Sequence, residues 1–104
     1  MSVGYDELNL DREIIDEIDK VIAVLLYKRL KLVQHIGEIK TKLHIPVRDG
    51  NRESQVLINI CKDLDDSQLK LYIERIYKSI LTESITLQGE QSSAVPMLDN
   101  KAVS

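Results

Sequence analysis

The chain has no tryptophan, no phenylalanine, a single cysteine and only two prolines among its 104 residues. Without the two bulkiest apolar aromatics, a core must be built from Leu, Ile and Val with help from four tyrosines, a palette that suits helix packing better than a sheet sandwich. The lone thiol, Cys61, can neither close an internal disulfide nor share a metal with a second thiolate, and reads as a reduced residue on a helix face. No basic run exceeds two residues and the formal net charge is -3, which argues against a nucleic-acid partner, because phosphate affinity rests on clustered positive charge. No apolar stretch reaches the roughly 20 residues of a membrane span, and the acidic start MSVGYDELNLD lacks the basic-then-apolar layout of a secretion signal. The expectation is a soluble, cytoplasmic chain without a membrane partner.

The length allows one domain, which as a monomer would bury only about 60–70% of the surface its unfolded form exposes. From Leu8 to about Leu43 there is no proline and one glycine, Gly37, while apolar residues recur at helical spacing. Ile15, Ile22, Ile36 and Leu43 fall on one seven-residue series, and Ile18, Leu25, Leu32 and Ile39 on its heptad partner. This predicts one long helix, ended by His44, Ile45 and Pro46. A second helix starts near Asp49 or Asn51, with Asp49 as a plausible cap and Val56, Leu57 and Ile60 inward. A third is capped by Ser67, carries Leu69, Ile73, Ile76, Ile80 and Leu87 on its apolar side, and stops at Gly89. The rest reads as a mobile, disordered tail, giving a helical domain over 1–90 and a tail over 91–104. The fold class is all-α, with one long, one short and one medium helix per chain.

The long helix also bears on assembly. About 36 residues at ~1.5 Å each make a rod of roughly 54 Å, against a radius of gyration of about 13 Å for a compact 100-residue domain. Two shorter helices cannot cover its apolar seam, so a second copy of the chain, or some other long helix, is expected there, and a twofold dimer with paired long helices is the simplest solution.

Polar residues interrupt these apolar faces. Arg29 is the one polar member of the Ile15, Ile22, Ile36, Leu43 series, and Lys40 joins Leu26 and Val33 in another. The two cations lie eleven residues apart, about 16 Å along the helix, and point roughly the same way. Ser84 and Gln88, one turn apart, break the face of the third helix, and Arg48, Asp49, Arg52 and Glu53 crowd the start of the second. Singly, each has an ordinary reading: a register-setting polar residue in a seam, or a long stem with its charge in water. Together they suggest a cationic pocket inside a helical bundle, suited to a small substrate with more than one negative charge.

The segments LNLDREIIDEID, LLYKRLKLV, GEIK, PVRDGNRESQV and ESITLQ resemble the all-helical chorismate mutase family in order, spacing and chemical type from about Leu8 to Gln88. The resemblance implies a single-activity chorismate mutase, an isomerase of phenylalanine and tyrosine biosynthesis. Its implied site is Arg12, Arg29, Lys40, Asp49, Arg52, Glu53, Ser84 and Gln88. The family is an interlocked dimer with two equivalent sites, and its first arginine enters the other subunit's site. Arg12 lies seventeen residues before Arg29, about 25 Å along a helix, too far to hold the same small ligand in cis.

The implied reaction is an intramolecular rearrangement of a dianion, which needs neither metal nor organic cofactor. Such a catalyst restrains the flexible molecule in its reactive form and stabilises charge growing on the ether oxygen. Arg12 from the partner, Arg29 and Arg52 would hold the carboxylates, with Ser84 adding a hydrogen bond. Lys40 and Gln88 would donate to the ether oxygen, and Glu53, helped by Asp49 or its main chain, would accept from the ring hydroxyl. His35 and His44 have no partners in a recognisable nucleophile motif. Two alternatives stand beside this reading: an isochorismate-pyruvate lyase of the same fold, which does not keep the Asp49 and Glu53 pair in this form, and a non-catalytic helical dimerisation module. The segment after Gly89 reads as an inert end rather than a docking site for another shikimate-pathway enzyme.

Overall fold

The structure, a computed structural model, describes residues 3–103, with side chains over 4–91. Three helices follow one another: α1 (Val3–Leu43), α2 (Gly50–Cys61) and α3 (Ser67–Val103), with no strand among the described residues. By compactness the chain divides into Met1–Leu32 and Val33–Ser104, so α1 runs from the first unit into the second.

The long helix begins five residues earlier than its apolar pattern does, at Val3. It ends where expected. His44 takes a positive φ of 56°, its N–H donates to the Thr41 carbonyl (3.3 Å) and the Ile45 N–H to the Lys40 carbonyl (2.9 Å). These crossed bonds satisfy carbonyls that the last turn would leave bare, and Pro46 forbids continuation. Asp49 caps α2: its Oδ1 accepts from the Arg52 N–H at 3.1 Å.

Two helix ends differ from the sequence expectation. The cap of α3 is Asp66, not Ser67: its Oδ1 accepts from the N–H groups of Gln68 (3.0 Å) and Leu69 (3.1 Å). A carboxylate can serve both donors and adds negative charge to the positive end of the helix, which leaves Ser67 as the first helical residue. Nor does α3 stop at Gly89. It continues to Val103, because Gly89 has no positive φ, and a glycine in helical geometry lowers helix propensity without ending the helix. The side chains beyond Gln91, and with them any packing of the segment 91–104 read as a tail, lie outside the described residues.

Within Val33–Ser104 the most buried positions are Val33 and Gly37 on α1 and Leu81, Ser84 and Gln88 on α3. Val56, Leu57 and Ile60 of α2 are half-buried, as are Ile73, Ile80 and Leu87 of α3, whereas Leu69 and Ile76 are exposed. Along α1 a stripe of Ile14, Ile18, Val21, Leu25, Leu32, Ile39 and Leu43, spaced by three, four or seven, remains 40–64% exposed. Its own chain leaves this heptad seam uncovered.

Candidate functional site

The last turns of α1, the loop from His44 to Asp49, the start of α2 and the middle of α3 bring most of the singled-out polar residues into the second unit. Lys40 is half-buried, like Leu26, while Val33 in the same series is buried. Its ammonium donates to the Val47 carbonyl at 2.7 Å. The side chain is thereby tied to the loop, where a cleft of about 420 Å³ is lined by Lys40, Pro46, Arg48 and Asp49.

At the start of α2, Asp49 is committed to its capping bond, so its carboxylate sets where the helix begins. The next turn carries Glu53, whose side chain is 22% exposed and whose Oε2 lies 3.4 Å from the Nε of the open Arg48. That oxygen is shielded from water and has no hydrogen-bond partner; the long contact with Arg48 is an ion pair that falls short of a well-made bond. A second cleft, about 430 Å³, runs between Arg48 and Glu53 on one side and Lys78, Leu81 and Thr82 of α3 on the other. Arg52 donates its backbone N–H to Asp49, and the residue is exposed.

On α3, Ser84 and Gln88 are 4% and 8% exposed, more buried than most of the chain's leucines and isoleucines. Ser84 Oγ donates back to the Ile80 carbonyl at 2.7 Å, a common way for a helical serine to be satisfied. Gln88 differs: its Oε1 is buried with no hydrogen-bond partner. A buried amide oxygen left unpaired costs about 1–3 kcal/mol, so a donor that reached this oxygen would be stabilising. Arg12 and Arg29 belong to the preceding unit, where Arg12 is exposed and Arg29 half-buried.

The charges lining these two clefts are therefore Lys40, Arg48 and Lys78 against Asp49 and Glu53, with Glu53 as the shielded acceptor. Lys78 and Leu81 were not singled out from the sequence, and Arg48 was noted only as part of the loop's charge. No periodic signal marks Lys78, because its approach to Glu53 depends on how α2 lies against α3. Among the described residues no group of three His, Cys, Asp or Glu side chains could hold a metal ion, and no helix is long and apolar enough to cross a membrane. Cys61 is half-buried and not disulfide-bonded.

Residues 11–89 match the family model described as chorismate mutase type II. Among curated proteins the chain is similar to the T-protein of Enterobacter agglomerans, 31% identical over 82% of this chain and 23% of that protein. It is 40% identical to the bifunctional chorismate mutase/prephenate dehydratase of Buchnera aphidicola subsp. Schizaphis graminum, over 74% of this chain and 20% of that one. The chorismate mutase of Methanocaldococcus jannaschii is 38% identical over 50% of this chain and 56% of its own length. The chain thus spans about a fifth to a quarter of the first two relatives. No solved structure matches it significantly.

Proposed function

Because the chain belongs to the type II chorismate mutase family, we propose that it rearranges chorismate to prephenate in the cytoplasm, as a step of aromatic amino acid biosynthesis. The observation that carries the reading is the placing of Gln88: an amide side chain 8% exposed, on the α3 face that meets the Lys40-bearing end of α1, whose NH2 group can donate and whose buried oxygen can accept in turn. An amide and an ammonium are the donors that charge growing on an ether oxygen calls for, and a site shielded from water makes each worth more.

In this reading the substrate's two carboxylates are met by Arg29 and Arg52 and by Arg12 of a second copy, with Ser84 adding a hydrogen bond. Glu53 accepts from the ring hydroxyl, its place fixed by the cap at Asp49 and by Arg48. Lys40 and Gln88 act mainly on the transition state, where the carbon–oxygen bond breaks as the carbon–carbon bond forms, so they govern turnover more than affinity. The chain supplies shape and charge; the reacting electrons stay within the substrate.

The assembly is an intertwined homodimer. The exposed α1 stripe supports it, since fully burying one Leu or Ile is worth roughly 1.5–3 kcal/mol. The charges of α1 support antiparallel pairing. Up to Asp19 the helix carries seven acidic side chains against Arg12 alone; from Lys20 to Leu43 it carries six basic ones against Glu38 alone. Antiparallel helices set each acidic half against a basic half, whereas parallel ones would stack like on like. Antiparallel pairing also carries Arg12 toward the basic half of the other chain, where it can complete a site it cannot reach within its own.

Loss of chorismate absorbance with the purified protein, followed by identification of the product, tests the activity. Prephenate is the expected product. Pyruvate and salicylate from isochorismate would favour the lyase, and no turnover of either substrate would leave a dimerisation module, in which Arg29→Leu stabilises the dimer.

A further inference from the structure

Gly37 is buried on the α1 face that meets α3. A Cβ at this position would stand 3.1 Å from Gln88 Cα, 3.1 Å from Gln91 Cβ and 3.3 Å from the Gln88 carbonyl oxygen. Two of these three atoms are backbone, so no rotamer change can make room; α3 itself would have to move. The other described glycines differ: a Cβ on Gly4, Gly50 or Gly89 would meet nothing within 4 Å. Among the described glycines Gly37 is therefore the one whose missing side chain is used, and the backbone it admits belongs to Gln88.

Its neighbours on α1 sharpen the point. Lys40 lies three residues on, nearly one turn along the same helix, and the Gly37 carbonyl accepts a 2.9 Å hydrogen bond from the Thr41 hydroxyl. On α3, Leu81, Ser84 and Gln88 are the buried positions, and of these Gln88 makes the contact with Gly37. The close approach of the two helices at Gly37 thus lies within one turn of Lys40 on α1 and at Gln88 itself on α3. Helix axes usually lie about 8–10 Å apart, with the small end of that range needing small residues at the crossing.

We infer that Gly37 is a positioning residue for the reaction: by letting the α3 backbone touch α1 at Gln88, it sets the separation of the Lys40 and Gln88 donors. This rests on the reading of those two side chains as the donors to the ether oxygen. A methyl at 37 displaces α3 by a few tenths of an ångström or more, widening the gap across which two hydrogen bonds must converge on one atom. Small misplacements of preorganised groups carry large rate penalties. Arg29 and Arg52, assigned to the carboxylates, lie on α1 and α2 and do not move with α3, so of the binding groups only the Ser84 hydrogen bond is disturbed and affinity changes less than turnover.

The test compares full-length wild-type protein with Gly37→Ala, alone and in a Gln88→Ala background, by chorismate consumption, helical circular dichroism and sedimentation. The wild-type assay comes first, so absence of turnover there counts against the functional reading and not against Gly37. Given an active wild type, Gly37→Ala is expected to keep its helicity and oligomeric state, to lose roughly 10- to 100-fold in kcat, and to keep KM within about threefold. In the Gln88→Ala background the same methyl has no donor left to displace, so its further effect on kcat is expected to stay below about twofold. Three results overturn the inference: kcat of Gly37→Ala within about twofold of wild type, an undiminished loss on top of Gln88→Ala, or a chain that no longer folds, since then the glycine serves the fold and not the donors.

Discussion

Lys40 and Val47 are joined by a 2.7 Å hydrogen bond from the lysine ammonium to the loop carbonyl. The bond bridges the turn between α1 and α2 and fixes a side chain that would otherwise sample many rotamers. An ammonium has three donors, so the one given to Val47 leaves others for a ligand.

Lys40→Ala is accordingly expected to lose about 10²–10³ in kcat while helicity and sedimentation stay as in the wild type. Near-normal turnover would remove Lys40 from the mechanism. Lys40→Arg is expected to recover only part of the loss, because a planar guanidinium presents its donors in a different geometry.

In the proposed mechanism the amide of Gln88 donates without taking a proton from solution, and free Lys and Arg side chains are cationic throughout about pH 5–8. The wild-type rate is therefore expected to be nearly flat over that range. Gln88→Glu must be protonated before it can donate, so its activity should fall as pH rises through the range. A kcat–pH profile of both proteins decides this, and a steep profile in the wild type would count against the glutamine.

The exposed α1 stripe predicts the behaviour of Leu25→Glu. Leu25 is 58% exposed within its own chain, so a surface reading allows a change of no more than about 0.5 kcal/mol. In a paired seam the substitution buries two charges near the twofold axis. Sedimentation is expected to show a dimer for the wild type and dissociated, inactive chains for the variant.

The proposed contribution of Arg12 across a dimer gives a complementation test. Arg12→Ala and Lys40→Ala should each be nearly inactive, yet refolding an equal mixture should restore about a quarter of wild-type activity, because half the dimers are mixed and each has one intact site. If Arg12 served its own chain's site, mixing would restore nothing.

Asp49 is spoken for by the Arg52 N–H. Asp49→Ala is expected to cost about 1 kcal/mol, visible as a lower thermal midpoint, whereas Asp49→Asn should keep both cap and activity. Loss of activity in the asparagine variant would show that the carboxylate's charge, rather than its capping oxygen, is needed.

Much of this protein can be read from local pattern. The heptad series located α1, Pro46 marked its end within three residues, and Asp49 named the start of α2. Local reading failed where two signals compete over a short distance. Asp66 and Ser67 are adjacent capping residues, and the carboxylate prevailed. Gly89 looks like a helix terminator, yet a glycine only permits a left-handed end, and the chain takes none there.

The sequence by itself determined three helices, an apolar seam too long for one chain to cover, and the polar residues that break the apolar faces, because periodicity and capping act over a few residues. Only the tertiary structure decided that Lys40 is held by Val47, that Glu53 lies between Arg48 and the α3 wall carrying Lys78, and that Gly37 admits the backbone of Gln88. These are contacts between elements. They depend on how closely two helices approach, a distance set by side-chain volume at one crossing and invisible in the pattern of either helix alone.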